Sequence, residues 1–165
     1  MKRIMCSVLM VALLMLAFSS CRESVNMETL TKYQQMDFVA QAVVSFGEKK
    51  YNMDIEKAGD ELTFSLDGVA FAMSENGCFL KIGELKIPIE QGAKLFKFSQ
   101  MKALFNIRSQ GTWKIERSAP GGVSVYICQN EDTGEILYID SGTHLPLKMI
   151  CGEVEADIIY FQAKS

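Results

Sequence analysis

Few side chains in this chain are equipped for chemistry. His144 is the single histidine, and it stands in Ser141-Gly142-Thr143-His144, a hairpin-loop sequence with no orienting partner in view. A general base needs a partner within hydrogen-bond reach, so His144 is read as a loop residue. Ser124 lacks the G-x-S-x-G frame of a nucleophile elbow. No glycine-rich phosphate loop, Walker-type lysine or histidine-rich metal set is present. Asn130-Glu131-Asp132 lacks the alternating oxygen ligands of a calcium loop and reads as an acidic hairpin turn. No enzymatic activity, cofactor or metal is therefore expected. Cys78, Cys128 and Cys151 are spaced too widely for a zinc or redox motif and read as small buried apolar residues. An odd set allows at most one disulfide, and Cys128–Cys151 is the favoured pair because both fall on strands expected to be neighbours. Cys21 remains, and its neighbours do specify a reaction.

Lys2 and Arg3 form a short basic head, the run from Ile4 to Phe18 is apolar, and Ser19 and Ser20 are small. At about 15 residues the apolar run has the length of a signal-peptide core and is short of the roughly 20 needed to span a bilayer. Ala17-Phe18-Ser19-Ser20-Cys21 resembles the lipobox of bacterial lipoproteins, in which a cysteine after small residues receives diacylglycerol and becomes the new N-terminus. Phe18 departs from that pattern, which favours leucine three residues before the cysteine. Two other readings stay open. Cleavage of the A-x-A type after Ser19 would leave Cys21 a plain thiol, and an uncleaved segment would act as an anchor. The resemblance implies a signal peptide over residues 1–20, lipid attachment at Cys21, and a site on the extracytoplasmic face of the cell membrane. Anchoring of this kind is stable with two or more acyl chains.

All acidic residues lie beyond the signal segment, whereas Lys2 and Arg3 lie within it, so the remaining chain is more acidic than the formal −3 of the whole. An acidic surface is poorly suited to nucleic acid, because phosphate contacts need surplus lysine and arginine. It is equally unsuited to direct adsorption on anionic lipid. Residues 21–36 are read as the lipidated N-terminus and a polar tether, with a short helical end at Thr31 to Met36. Residues 37–165 make a single domain of ordinary size.

Within that domain the hydrophobic period is two. Tyr51 to Glu56 and Leu62 to Asp67 alternate apolar and polar cleanly, as half-wet antiparallel strands do. Gly47-Glu48, Gly59-Asp60, Asp67-Gly68, Asn76-Gly77 and Gly83-Glu84 supply tight turns. Between Gly92 and Ile107 the period changes, placing Leu95, Phe98, Met101 and Phe105 on one helical stripe, with Ser99 able to cap its second half. Strands resume after Gln110-Gly111 and run to Phe161. About eleven strands exceed what a flat sheet holds, so the fold class is mainly β, an antiparallel sheet curled into a half-barrel or closed barrel with one inserted helix on its concave face.

The order of these elements resembles the LolA-like, LppX-like lipoprotein fold, especially its small members in Gram-positive bacteria. The resemblance is carried by the hairpin from Phe38 to Leu66, by Gly68-Val69-Ala70-Phe71 leading to Asn76-Gly77-Cys78, and by the close Ile136 to Asp140, Leu145-Pro146-Leu147-Lys148 and the last strand. It implies a concave apolar cavity for a lipid or lipidated partner. Phe71, Phe105 and Trp113 are the candidate ligand-binding residues in such a cavity; each also suits an ordinary core. Two functions follow from different premises, and the resemblance favours the first, binding of a lipid or other apolar ligand, over the second. A lipid carrier requires a void lined by Phe and Met. An envelope protein-interaction or structural module requires a filled core and an exposed patch on one face.

Overall fold

A computed structural model describes residues 25–74, 77–89, 100, 102, 105 and 111–164. Cys21 and the signal segment lie outside the described residues, as do Leu95, Phe98, Ser99 and Met101 of the expected helix. The chain opens with a short helix, α1 (Met27–Leu30), and a 3-10 turn, Lys32–Gln35. Eleven strands follow: β1 (Phe38–Phe46), β2 (Lys49–Ala58), β3 (Glu61–Leu66), β4 (Val69–Ser74), β5 (Gly77–Ile82), β6 (Leu85–Pro88), β7 (Trp113–Ser118), β8 (Val125–Asn130), β9 (Ile136–Asp140), β10 (Pro146–Cys151) and β11 (Val154–Ala163). All pair antiparallel in one sheet of order β6-β5-β4-β3-β2-β1-β11-β10-β9-β8-β7. The expected curled half-barrel is thus the observed architecture, and the sheet is open rather than closed.

This order has a simple logic. Strands next to each other in sequence pair, except β6 and β7, which form the two edges, while β1 and β11 meet in the middle, Phe38 opposite Ala163 and Phe46 opposite Val154. Two meanders hang from that central ladder as wings, β2–β6 on one side and β7–β10 on the other. Between Pro88 and Trp113 the chain therefore has to cross from one edge of the sheet to the other. Gln100, Lys102 and Phe105, all with helical backbone, belong to that crossing. Lys102 donates to the Ser74 carbonyl at 3.4 Å. Gly152, at φ +60°, turns β10 into β11, and a Cβ there would sit 2.7 Å from Gln100 Nε2. The left-handed backbone favours glycine there, and a Cβ would have to push the end of the Gln100 side chain aside.

Alternation builds the core on the inner, concave face. Phe38, Ala40, Ala42 and Val44 of β1 point inward and are buried, as are Met53, Ile55, Phe64, Cys128, Leu137, Ile139, Met149, Val154 and Ala156 from the neighbouring strands. A string of rings ties distant segments together. Tyr33 meets Phe161 edge-on at 5.6 Å, Phe161 meets Phe38 at 4.7 Å, Phe38 meets Phe105 at 6.3 Å, and Phe105 meets Phe64 edge-on at 5.9 Å between centroids. Such pairs add to area burial. The outer face is polar: Lys148 bridges Glu155 and, at 3.3 Å, Asp157, while Lys86 pairs with Glu61.

Two sequence expectations need correction. The tether was drawn through Met36, yet Met27, Leu30 and Tyr33 are buried in the core. Met27 and Leu30 share one face of α1 and Tyr33 continues it on the 3-10 turn, a stripe of three residues too short to show a helical period. Asn26 caps the segment, accepting from the Thr29 amide at 2.9 Å, and the Thr31 hydroxyl donates to the Met27 carbonyl at 2.7 Å. The second correction concerns Cys128–Cys151. The strand β9 lies between β8 and β10, with Cys128 opposite Leu137 and Leu137 opposite Met149. Two strand spacings are about 9.6 Å, beyond the roughly 7 Å that a disulfide can bridge between Cα atoms. Cys78, Cys128 and Cys151 are all free.

Candidate functional site

The inner face is not covered evenly. Register carries Phe64 across Phe71 and Leu80 to Ile87, toward the β6 edge. In the adjoining row Leu66 lies opposite Val69, and Ile82 opposite Leu85. Alternation places all of these on the core side of the sheet. Their exposure rises along the way: Phe64 is 2% exposed, Ile87 40%, Val69 43%, Ile82 58% and Leu85 60%. The apolar stripe that forms the core thus runs out into solvent over β4–β6. Hairpin chemistry explains why it keeps its face there. Asp67 and Gly68 both take positive φ, and Gly83 sits at φ +58°, so the β3–β4 and β5–β6 turns are tight and hold register.

The two sheet edges differ in kind. On β6 every residue is exposed, Leu85 and Ile87 face the inner side, and Lys86 points outward to Glu61. No described strand pairs with its free side. On β7 charge dominates: Lys114 and Glu116 pair at 2.7 Å on the outer side, and Arg117 Nε donates to Ser124 Oγ at 3.1 Å. Charges of this kind blunt an edge against further strand pairing, whereas an apolar edge invites it.

The residues singled out from sequence fall in different places. Phe105 is 1% exposed and wedged between Phe38 and Phe64. Phe71 lies at the border of the core, opposite Phe64, where the exposed strip begins. Trp113 opens the far edge strand β7 opposite Asn130, half-buried against the core. The strip residues Val69, Ile82, Leu85 and Ile87 were missed. Their signal was present as alternation within three short hairpin strands, but alternation alone does not tell a covered face from an open one.

The remaining groups are held in structural work. Asp140 accepts from the Gly142 amide at 2.9 Å, the Thr143 amide at 2.7 Å and the Thr143 hydroxyl at 3.0 Å. Those bonds, the Thr143 amide first, hold its carboxyl below the usual carboxylate value. His144 closes this loop at φ +57°, its ring 6.0 Å from that of Tyr126. Asn130 accepts from the Asp132 and Thr133 amides, and Asp132 accepts from the Thr112 amide at 2.9 Å, so the acidic run builds a hairpin turn. Burial pushes the Cys128 thiol up to about 12 and raises Cys78 as well. Burial also raises Cys151, helped by the Glu135 carboxylate. Thiols shifted this way are poor nucleophiles at neutral pH. Among the described residues no helix is long and apolar enough to cross a membrane.

No family model and no curated protein matches the chain. Among solved structures it is similar to the crystal structure of MucB, with a TM-score of 0.50 and 14% identity over 82% of this chain and 56% of that one. The complex structure of Pseudomonas aeruginosa MucA/MucB gives a TM-score of 0.43 at 14% identity, covering 82% and 55%. MucB in complex with MucA(peri) gives 0.44 at 14% identity, covering 82% and 53%. The chain spans about half the length of the structures it matches. At this identity the likeness to the MucB crystal structure shows a shared fold and nothing further.

Proposed function

We propose that this protein is a lipoprotein of the LolA-like half-barrel type, anchored through Cys21 on the extracytoplasmic face of the cell membrane, and that it is a non-enzymatic binding module. The open strip over β4–β6 docks an apolar segment of an envelope protein partner. One observation carries this reading: Val69, Ile82, Leu85 and Ile87 stand 40% to 60% exposed on the very face that elsewhere forms the core. Side chains of this size are normally covered, and a contiguous apolar strip beside an unpaired edge marks a contact surface. The edge adds backbone donors and acceptors along β6, so an extended segment can pair with the strand while its side chains meet the strip. A lipid reading asks for a void around Phe105, which is instead enclosed by Phe38 and Phe64.

The test has two arms. Mass spectrometry of the N-terminal peptide reports whether Cys21 carries acyl chains, with Cys21→Ser as control; an unmodified thiol on the wild-type protein removes the anchor from the proposal. Site-specific photocrosslinking from position 85 in intact cells, repeated with Ile82→Asp, examines the strip. A discrete protein adduct that Ile82→Asp abolishes supports docking. An extractable lipid that co-purifies with the wild-type protein and is lost in Ile82→Asp would instead make the strip a lipid surface and overturn the protein partner.

A further inference from the structure

The outer face of the sheet carries a second concave feature, which borders the strip at Val69 and Ile82. A groove of about 580 Å³ is lined there by Glu56, Thr63, Ser65, Ala70 and Lys81. It continues into one of about 270 Å³ bordered by Gln41, Asp54, Glu56, Ser65 and Tyr160. The two share Glu56 and Ser65. Register explains their continuity. Tyr160 lies opposite Gln41, Gln41 opposite Asp54, Asp54 opposite Ser65, Ser65 opposite Ala70, and Ala70 opposite Lys81. One row thus crosses six strands, about 24 Å at the usual strand spacing. Short side chains make the floor, Ser65 and Ala70 in this row and Thr63 and Ala72 in the next, and longer ones rise at the ends.

The site is also pre-arranged. Gln41 Nε2 donates to Asp54 Oδ1 at 2.9 Å, Glu56 accepts from Lys164, and the Tyr160 hydroxyl donates to Gln162. At the Tyr160 end a bulge interrupts the β1–β11 ladder between Gln41 and Ala42, leaving Ile159 as an extra residue beside Tyr160. Bulges re-aim side chains and gather next to sites. Tyr160 is 46% exposed.

What such a trough can bind follows from its chemistry. It runs across interior strands whose backbone groups are already paired, so strand addition is excluded and side chains must do all the recognition. Its wall groups Gln41, Asp54, Ser65 and Glu56 would lose hydrogen bonds against an acyl chain. Lys164 pairs with Glu56 and Lys81 stands at one end, so the two carboxylates are offset and no net charge selects a phosphate or an acidic sugar. A carboxylate accepts hydrogen bonds only, while glutamine and serine both donate and accept. That set, with a flat aromatic ring at one end, fits a ligand dense in hydroxyl groups and bearing C–H faces. We propose that the outer trough from Tyr160 to Lys81 binds a neutral or amino-bearing oligosaccharide, its hydroxyls on Gln41, Asp54, Ser65 and Glu56 and one sugar face stacked on Tyr160. Leu85 and Ile87 of the apolar strip take no part in this site.

Calorimetric and NMR titrations of the full chain in mild detergent with cellotetraose, chitotetraose and its deacetylated form test the assignment. One of these is expected to bind and to shift the signals of Gln41, Ser65 and Tyr160. Tyr160→Ala should weaken binding at least tenfold and Ser65→Trp should fill the trough and do the same, with the fold of both checked by circular dichroism. Leu85→Ser should leave sugar binding unchanged. Absence of binding by all three sugars at about 1 mM overturns the proposal. So does binding that Tyr160→Ala leaves intact, because the exposed ring is central to it and its loss costs the fold little.

Discussion

In the β8–β10 wing the inner side chains Cys128, Leu137, Ile139 and Met149 are fully buried. In the β4–β6 wing the equivalent side chains Val69, Ile82, Leu85 and Ile87 stand in water. Both wings are antiparallel meanders with the same apolar period, so strand pattern does not make the difference. Their turns differ: Asn130 and Asp140 brace the hairpins of the first with side-chain hydrogen bonds, whereas the β3–β4 and β5–β6 turns of the second rest on Asp67-Gly68 and Gly83-Glu84. The cover differs too. Tyr33 and Phe105 join the ring string near β1, β3 and β11, and that string reaches Phe64 but leaves the β6 edge bare. A strand pattern specifies which face is apolar; other segments decide where that face becomes a core and where it stays available.

This contrast can be broken at its cover first. A chain beginning at Asp37 loses Met27, Leu30 and Tyr33, each worth roughly 1.5–3 kcal/mol of burial. The sum is comparable to the whole stability of a typical domain, so the shortened chain should be largely unfolded by circular dichroism. Phe105→Ala should cost about 3–5 kcal/mol in urea unfolding, whereas Phe71→Ala at the border of the strip should cost clearly less; equal losses would mean that the open wing is as tightly packed as the covered one. Asn26→Ala, which removes the cap of α1, should cost about 1 kcal/mol. Ile82→Ser and Ile87→Ser should stay within about 0.5 kcal/mol of wild type while abolishing the docking adduct, separating contact from stability.

The smallest effect lies in the braced turn. Because the folded state holds the Asp140 carboxyl below its ordinary value, the ionised form favours folding. That contribution is complete above the unfolded value near 4 and is lost as pH falls through the lower folded value. Wild type should therefore lose slightly more stability than Asp140→Asn between about pH 5 and pH 3. The exposed site and screening by salt keep the difference small.

The strands from Phe38 onward were legible because alternation and glycine turns are local properties. The burial of Met27, Leu30 and Tyr33 was not, since a stripe of three residues is short and Phe161, which meets Tyr33, lies far away in sequence. The misassigned neighbours Cys128 and Cys151 fail for a related reason. Spacing along the chain suggests adjacency, but β9 pairs on both of its sides and pushes β8 and β10 apart. Phe71, a candidate ligand residue from sequence, lies where the strip begins, while the strip depends on register across β3–β6 and the outer trough on register across six strands, which no single segment reveals.

The ladder between β1 and β11 sets the schedule by which the domain comes into being. A chain made from its N-terminus exposes Phe38–Phe46 long before Val154–Ala163 exists to cover its second edge. The β2 hairpin can form at once, but the other side of this apolar strand must wait through the making of nine further strands. During that interval β1 is an open template for pairing with other chains. Helpers that act during synthesis are therefore expected to matter more for this molecule than its small size suggests, and their point of contact is the free edge of β1.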